Sequence, residues 1–163
     1  MRHELIPLTA VSTRENPIEL DDYLNNSEAI YLAYNLNHKY CIYYKPDEYD
    51  VIGPDGKEPR CDYLLISSGT GFEPRFIELK GGNWERGGCC KTEWSHAFHQ
   101  LFCTYKAYEG CKDSPDESVI FILCTSTRKK QNARIESYRW YKKLRELTAK
   151  KPMILYDGDY DEL

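Results

Sequence analysis

Two short apolar runs with charges embedded in them limit what this chain can fold into: Cys61-Asp62-Tyr63-Leu64-Leu65-Ile66 and Arg75-Phe76-Ile77-Glu78-Leu79-Lys80. Both read as β-strands, and an ionised side chain inside such a strand is costly unless a partner offsets it. Alternation puts Phe76, Glu78 and Lys80 on one face of the second run, and Asp62, Leu64 and Ile66 on one face of the first. The stretch Ser67-Ser68-Gly69-Thr70-Gly71 between them is a turn signal. In a hairpin centred near Thr70, Asp62 falls roughly opposite Leu79, within diagonal reach of Glu78 and Lys80. A carboxylate pair with an adjacent lysine, on neighbouring strands, is what a metal-dependent phosphodiesterase needs.

The remaining patterns place these strands in a mixed α/β fold, a mixed β-sheet flanked by helices. The first 20 residues, broken by Pro7 and Pro17, read as a strand or as irregular chain. Asn25 to Glu28 has capping-box spacing for a short helix, whereas Ile30, Leu32 and Tyr34 alternate as in a strand. Residues 39–44 form a strand, and Gly53-Pro54-Asp55-Gly56 is a turn. After the charged strands comes a glycine-rich loop (Gly81, Gly82, Gly87, Gly88). A helix then spans about residues 92 to 108, with Trp94, Ala97, Phe98, Leu101, Phe102, Tyr105 and Tyr108 at helical spacing and His96, His99 and Gln100 on its polar face. Residues 118–124 are continuously apolar, as in a strand buried on both faces. A basic helix over about residues 132–149, with Ile135, Tyr138, Tyr141, Leu144 and Leu147 as its stripe, and a final strand at 152–156 complete the order. One domain thus spans residues 1–163, with an acidic tail at 157–163.

Composition narrows the function classes. With 41% hydrophobic and 29% charged residues the chain reads as soluble and globular. No apolar run approaches the roughly 18 residues of a membrane span, and the opening residues lack a signal peptide's features, so a cytoplasmic location is expected. Seven scattered cysteines, an odd number, predict reduced thiols rather than a disulfide framework. The net charge of −4 argues against a protein that grips nucleic acid over its whole surface. That mean hides a basic segment from Arg128 to Lys151, interrupted only by Glu136 and Glu146, which serves either as a solvated helix face or as a phosphate-tracking surface.

Glu-x-Lys alone arises by chance in almost any soluble protein. Here it follows Asp62 with fifteen residues intervening, and it precedes a helix carrying Gln100-Leu101 and the buried strand Val119–Leu123. In this combination the chain resembles the PD-(D/E)xK nucleases, the restriction-endonuclease-like superfamily, and particularly its small bacterial and phage members. It departs from them in having no proline directly before Asp62 (Pro59 lies three positions back) and in lacking the Gln-x-x-x-Tyr pattern, since Tyr105 is five after Gln100.

The resemblance implies a restriction-endonuclease-like core at about residues 39–125 and a nuclease activity, on DNA ahead of RNA. It implies that Asp62, Glu78 and the Leu79 backbone carbonyl bind Mg²⁺, with Mn²⁺ able to substitute. Lys80 would position water or stabilise charge at the phosphate, and Gln100 would orient the phosphate or a metal-bound water. Glu28 corresponds to an acidic residue that relatives carry on their first helix, although it also reads as an ordinary helix-start residue. Asp50 competes as a further ligand or is simple turn chemistry. Arg128, Lys129, Lys130 and Arg134 are the candidate nucleic-acid contacts. So small a chain leaves little room for a recognition domain, so a homodimer or a partner subunit is expected to supply specificity. One rival reading is a catalytically silent nuclease-like module that binds nucleic acid or a protein partner. Another is a small zinc or redox module on Cys89, Cys90, His96 and His99, whose adjacent cysteines are poorly spaced for zinc.

Overall fold

Strand-like and continuous apolar runs converge on one sheet. The computed structural model describes residues 10–22, 28–46, 52–53, 56–67, 71–81, 90–110, 118–125, 138–148, 150–156 and 158–163. Its main sheet has six strands in the order β1 (Ala10–Thr13), β4 (Cys41–Tyr44), β7 (Tyr63–Ser67), β8 (Arg75–Lys80), β9 (Ile120–Thr125) and β10 (Met153–Tyr156). Pairing is antiparallel from β1 to β8 and parallel from β8 through β9 to β10. The helices α1 (Cys90–Gly110) and α2 (Arg139–Thr148) lie in the two parallel connections. A second, three-stranded sheet has the order β11 (Asp161–Glu162), β3 (Ile30–Tyr34), β2 (Ile18–Asp21). The turn read at residues 53–56 is flanked by a two-residue hairpin, β5 (Ile52–Gly53) with β6 (Gly56–Lys57).

The main sheet is covered on both faces, which is why its central strands read as unbroken apolar runs. On one face, Leu64, Phe76, Phe121 and Leu123 pack with Trp94, Phe98 and Leu101 of α1 and with Tyr141 and Leu144 of α2. On the other, Tyr63, Leu65, Ile77, Leu79 and Ile122 pack with Ile18, Leu20, Tyr31 and Ala33 of the small sheet. Phe76, Phe98 and Phe121 are fully enclosed, each stabilising the fold by about 1.5–3 kcal/mol. No helix among the described residues is long and apolar enough to cross a membrane.

The mixed α/β class expected from the sequence is the class found, and from β4 to β10 the element order agrees as well, apart from the short β5–β6 hairpin; β11 is additional. Two local expectations change. The stretch left open between helix and strand is strand β3, paired on both sides. Leu147, expected in the apolar stripe of α2, is 38% exposed; it lies in the helix's last turn, beyond the sheet-facing Tyr141 and Leu144. Within the acidic stretch at 157–163 one residue is enclosed, because Asp161 is buried in β11. Its reason is Arg75, also buried, which faces the small sheet and needs an anion. Arg75 Nε donates to Asp161 Oδ2 at 3.1 Å and Arg75 Nη2 to the Glu162 carbonyl at 3.0 Å, while the Tyr31 hydroxyl donates to the same Asp161 oxygen at 2.6 Å. Burial, then the Asp161 carboxylate, pushes the Tyr31 phenol above its ordinary range.

Candidate active site

Glu78 and Lys80 share the helix-facing side of β8 with Phe76, because Ile77 and Leu79 belong to the opposite core. Glu78 is 1% exposed, within a strand whose other members are almost all buried. An ionised carboxylate there costs several kcal/mol unless compensated. Lys80 supplies part of that compensation, its ammonium 2.7 Å from Glu78 Oε1 and its side chain 19% exposed. This pair sits at the carboxyl ends of the parallel strands, where Lys80 aligns with Thr125 of β9 and Thr125 with Tyr156 of β10. In open α/β sheets that edge is where ligands bind.

Asp62 joins the pair by a different route from simple alternation. Strand β7 begins at Tyr63, paired with Ile77, and Asp62 lies on the bend just before it. Continuing this register puts Asp62 opposite Glu78, eight residues either side of Thr70 and within one residue of Leu79. At the bend the alternation breaks, since Cys61 packs in the helix-side core as Leu64 does. The Asp62 carboxylate accepts the Leu79 backbone N–H at 2.7 Å, replacing the ladder carbonyl that β7 does not extend far enough to provide.

Gln100 approaches from α1. Its amide Nε2 donates to the Arg60 carbonyl at 2.9 Å, two residues before Asp62, so its contact is with the chain that carries Asp62. Its Oε1 is buried with no hydrogen-bond partner among the described residues. Thr104, one turn further and fully buried, accepts the Cys61 N–H at 2.8 Å. Sequence reasoning missed Thr104; its only signal was the four-residue spacing from Gln100.

Glu28 reaches the same edge through a backbone crossing. A Cβ on Gly81 would stand 2.3 Å from the Glu28 nitrogen and 2.7 Å from the Ala29 nitrogen, so glycine is required there by close approach. Glu28 is therefore fixed beside the residue that follows Lys80, on the chain leading into β3 rather than on a helix, with its side chain exposed. Among the described residues no group of three or more His, Cys, Asp or Glu side chains gathers as a metal cluster. Two carboxylates and the Leu79 carbonyl nevertheless suit Mg²⁺, a hard ion that retains several waters and takes few protein oxygens. Asp50, Arg128, Lys129, Lys130, Arg134 and Cys89 lie outside the described residues.

The surroundings are dry. Burial, the dominant cause, pushes the Cys61 and Cys124 thiols well above their usual range, with Asp62 and Glu78 adding to it. Cys41, Cys61, Cys103 and Cys124 are free. His99 is occupied as a packing group, stacked on Trp140 with ring centroids 4.0 Å apart. Lys143 lies over the same indole at 4.7 Å and Arg139 at 5.1 Å. Burial, then the charges of His96, Arg139 and Lys143, lowers the His99 imidazole below its ordinary 6.5. No protein-family model, curated protein or solved structure matches the chain.

Proposed function

We propose that this chain is a metal-dependent nuclease of the PD-(D/E)xK type, hydrolysing phosphodiester bonds in DNA ahead of RNA. The observation that carries the reading is the Glu78 carboxylate, 1% exposed inside a core strand. It is held 2.7 Å from Lys80 at the edge where Asp62 also stands. A purely structural strand has no use for three such charges, since apolar side chains of similar size would pack there at no electrostatic cost.

In this reading Asp62, Glu78 and the Leu79 carbonyl hold Mg²⁺, with Mn²⁺ as a substitute. The ion, when bound, supplies charge stabilisation to the phosphate and acidity to water. The Leu79 amide fixes one Asp62 oxygen and so holds the carboxylate against β8. Lys80 carries three N–H donors, of which Glu78 Oε1 engages one, and it stabilises the negative charge that grows on the phosphate as the bond breaks. Arg139, Lys142 and Arg145 of α2, exposed members of the basic segment, hold the polyanion electrostatically. A homodimer or a partner subunit supplies sequence or structure specificity. A cytoplasmic setting keeps the free thiols reduced.

A substrate panel of duplex DNA, single-stranded DNA and RNA, with Mg²⁺ and with Mn²⁺, tests this. Metal-dependent cleavage by the wild type, abolished in folded Asp62→Ala and Lys80→Ala, is the expected result. Wild-type protein inert on every substrate with both ions overturns the enzyme reading; nucleic-acid binding without cleavage would identify the silent module instead.

A further inference from the structure

We propose that Gln100 and Thr104 clamp a single peptide group, Arg60–Cys61, and thereby position Asp62, which makes Thr104 a positioning residue of the site. The inference rests on the reading of Asp62 as a metal ligand.

Both polar ends of that peptide are held by one helix. Gln100 Nε2 donates to the Arg60 oxygen at 2.9 Å, and the Cys61 nitrogen donates to Thr104 Oγ1 at 2.8 Å. Residues four apart lie on one face of a helix, so the two groups meet the peptide together. The Thr104 hydroxyl has its own proton committed, donated to the Gln100 carbonyl at 2.8 Å, so its lone pairs are what it offers to Cys61. Thr104 is fully buried, and α1 is packed against the sheet through Phe98 and Leu101. The clamp is therefore as rigid as the core itself.

Asp62 needs such a support. It lies on a bend outside the β7 ladder, whose pairing with β8 starts at Tyr63. On one side it is anchored by its carboxylate on the Leu79 N–H, on the other by the clamped Arg60–Cys61 peptide, one peptide unit upstream. Without the Thr104 hydroxyl the Cys61 N–H is buried without an acceptor, and the backbone that aims the carboxylate at Leu79 is released. Groups that orient a metal ligand at one remove commonly govern its affinity.

The test uses the full chain with Thr104→Val, which keeps the shape and removes the hydroxyl, and Thr104→Ser, which restores it. Two quantities are read: Mn²⁺ affinity by calorimetry, and the Leu79 amide resonance recorded without metal. Thr104→Val is expected to weaken Mn²⁺ binding about ten- to hundredfold and to move the Leu79 resonance toward its position in Asp62→Asn. Thr104→Ser is expected to match wild type in both. If Thr104→Val does not fold, Gln100→Met, which removes the donor to Arg60, carries the same expectation. A Thr104→Val protein with wild-type affinity and an unmoved Leu79 resonance overturns the clamp. Wild-type protein that binds no Mn²⁺ overturns the metal reading instead, and the Leu79 resonance then still decides whether the clamp orients Asp62.

Discussion

Replacing Glu78 and Lys80 together by methionine is predicted to leave the fold as stable as wild type or more so, while removing the site. Glu78 is 1% exposed and has lost nearly all its hydration, whereas Lys80 at 19% retains part. Exchanging a buried ion pair for apolar residues of similar volume is neutral to stabilising by about 1–4 kcal/mol. Because the Lys80 ammonium keeps some water, the lower half of that range applies. The expected gain is about 1–2 kcal/mol, or about 2–8 °C in Tm for a chain of this length. The single change Lys80→Met has the opposite sign: it strips the ammonium from a buried carboxylate and costs about 3 kcal/mol. Urea unfolding midpoints of wild type, both single variants and the double variant measure all of this, with unchanged m-values showing that one two-state transition is compared throughout. A double variant as unstable as Lys80→Met refutes the reasoning, because the ion pair would then be a support of the fold rather than a stability cost retained for function.

Other consequences are as specific. Asp161→Ala leaves Arg75 and Tyr31 facing each other without their shared carboxylate; chemical denaturation is expected to show a loss of about 3–5 kcal/mol. Gly81→Ala forces a methyl to within 2.3 Å of the Glu28 nitrogen; a destabilisation of about 1–3 kcal/mol is expected by the same method. His99, lowered chiefly by burial, is expected to titrate by NMR below 6.5 and to move back up in Trp140→Ala. Since the native value lies below the unfolded one, its contribution to stability is complete above pH 6.5 and is lost as pH falls through the native value.

The parts of the site that follow from strand geometry were legible in the sequence. Period-two alternation alone put Glu78 and Lys80 on the face of Phe76, and the spacing of apolar residues placed both helices. Register was not legible, because the turn sets it, and the residues that set this one carry no signal separating Asp62 opposite Leu79 from Asp62 opposite Glu78. Long-range polar partnerships were also hidden. Arg75 and Asp161 are 86 residues apart, and nothing near either one announces the other. Asp161 stands in an acidic stretch, and nothing there singles out the one carboxylate that a buried guanidinium needs. Thr104 and Cys61, 43 residues apart, are another such case: a helical threonine gives no local sign that its hydroxyl serves a strand.

The central claim is that Asp62 and Glu78 together hold a divalent cation, and calorimetric titration with Mn²⁺ tests it most directly. The account predicts one ion bound per chain in the wild type and binding abolished in both Asp62→Asn and Glu78→Gln, with each variant folded. Equal binding by all three proteins, or none by the wild type, would contradict it.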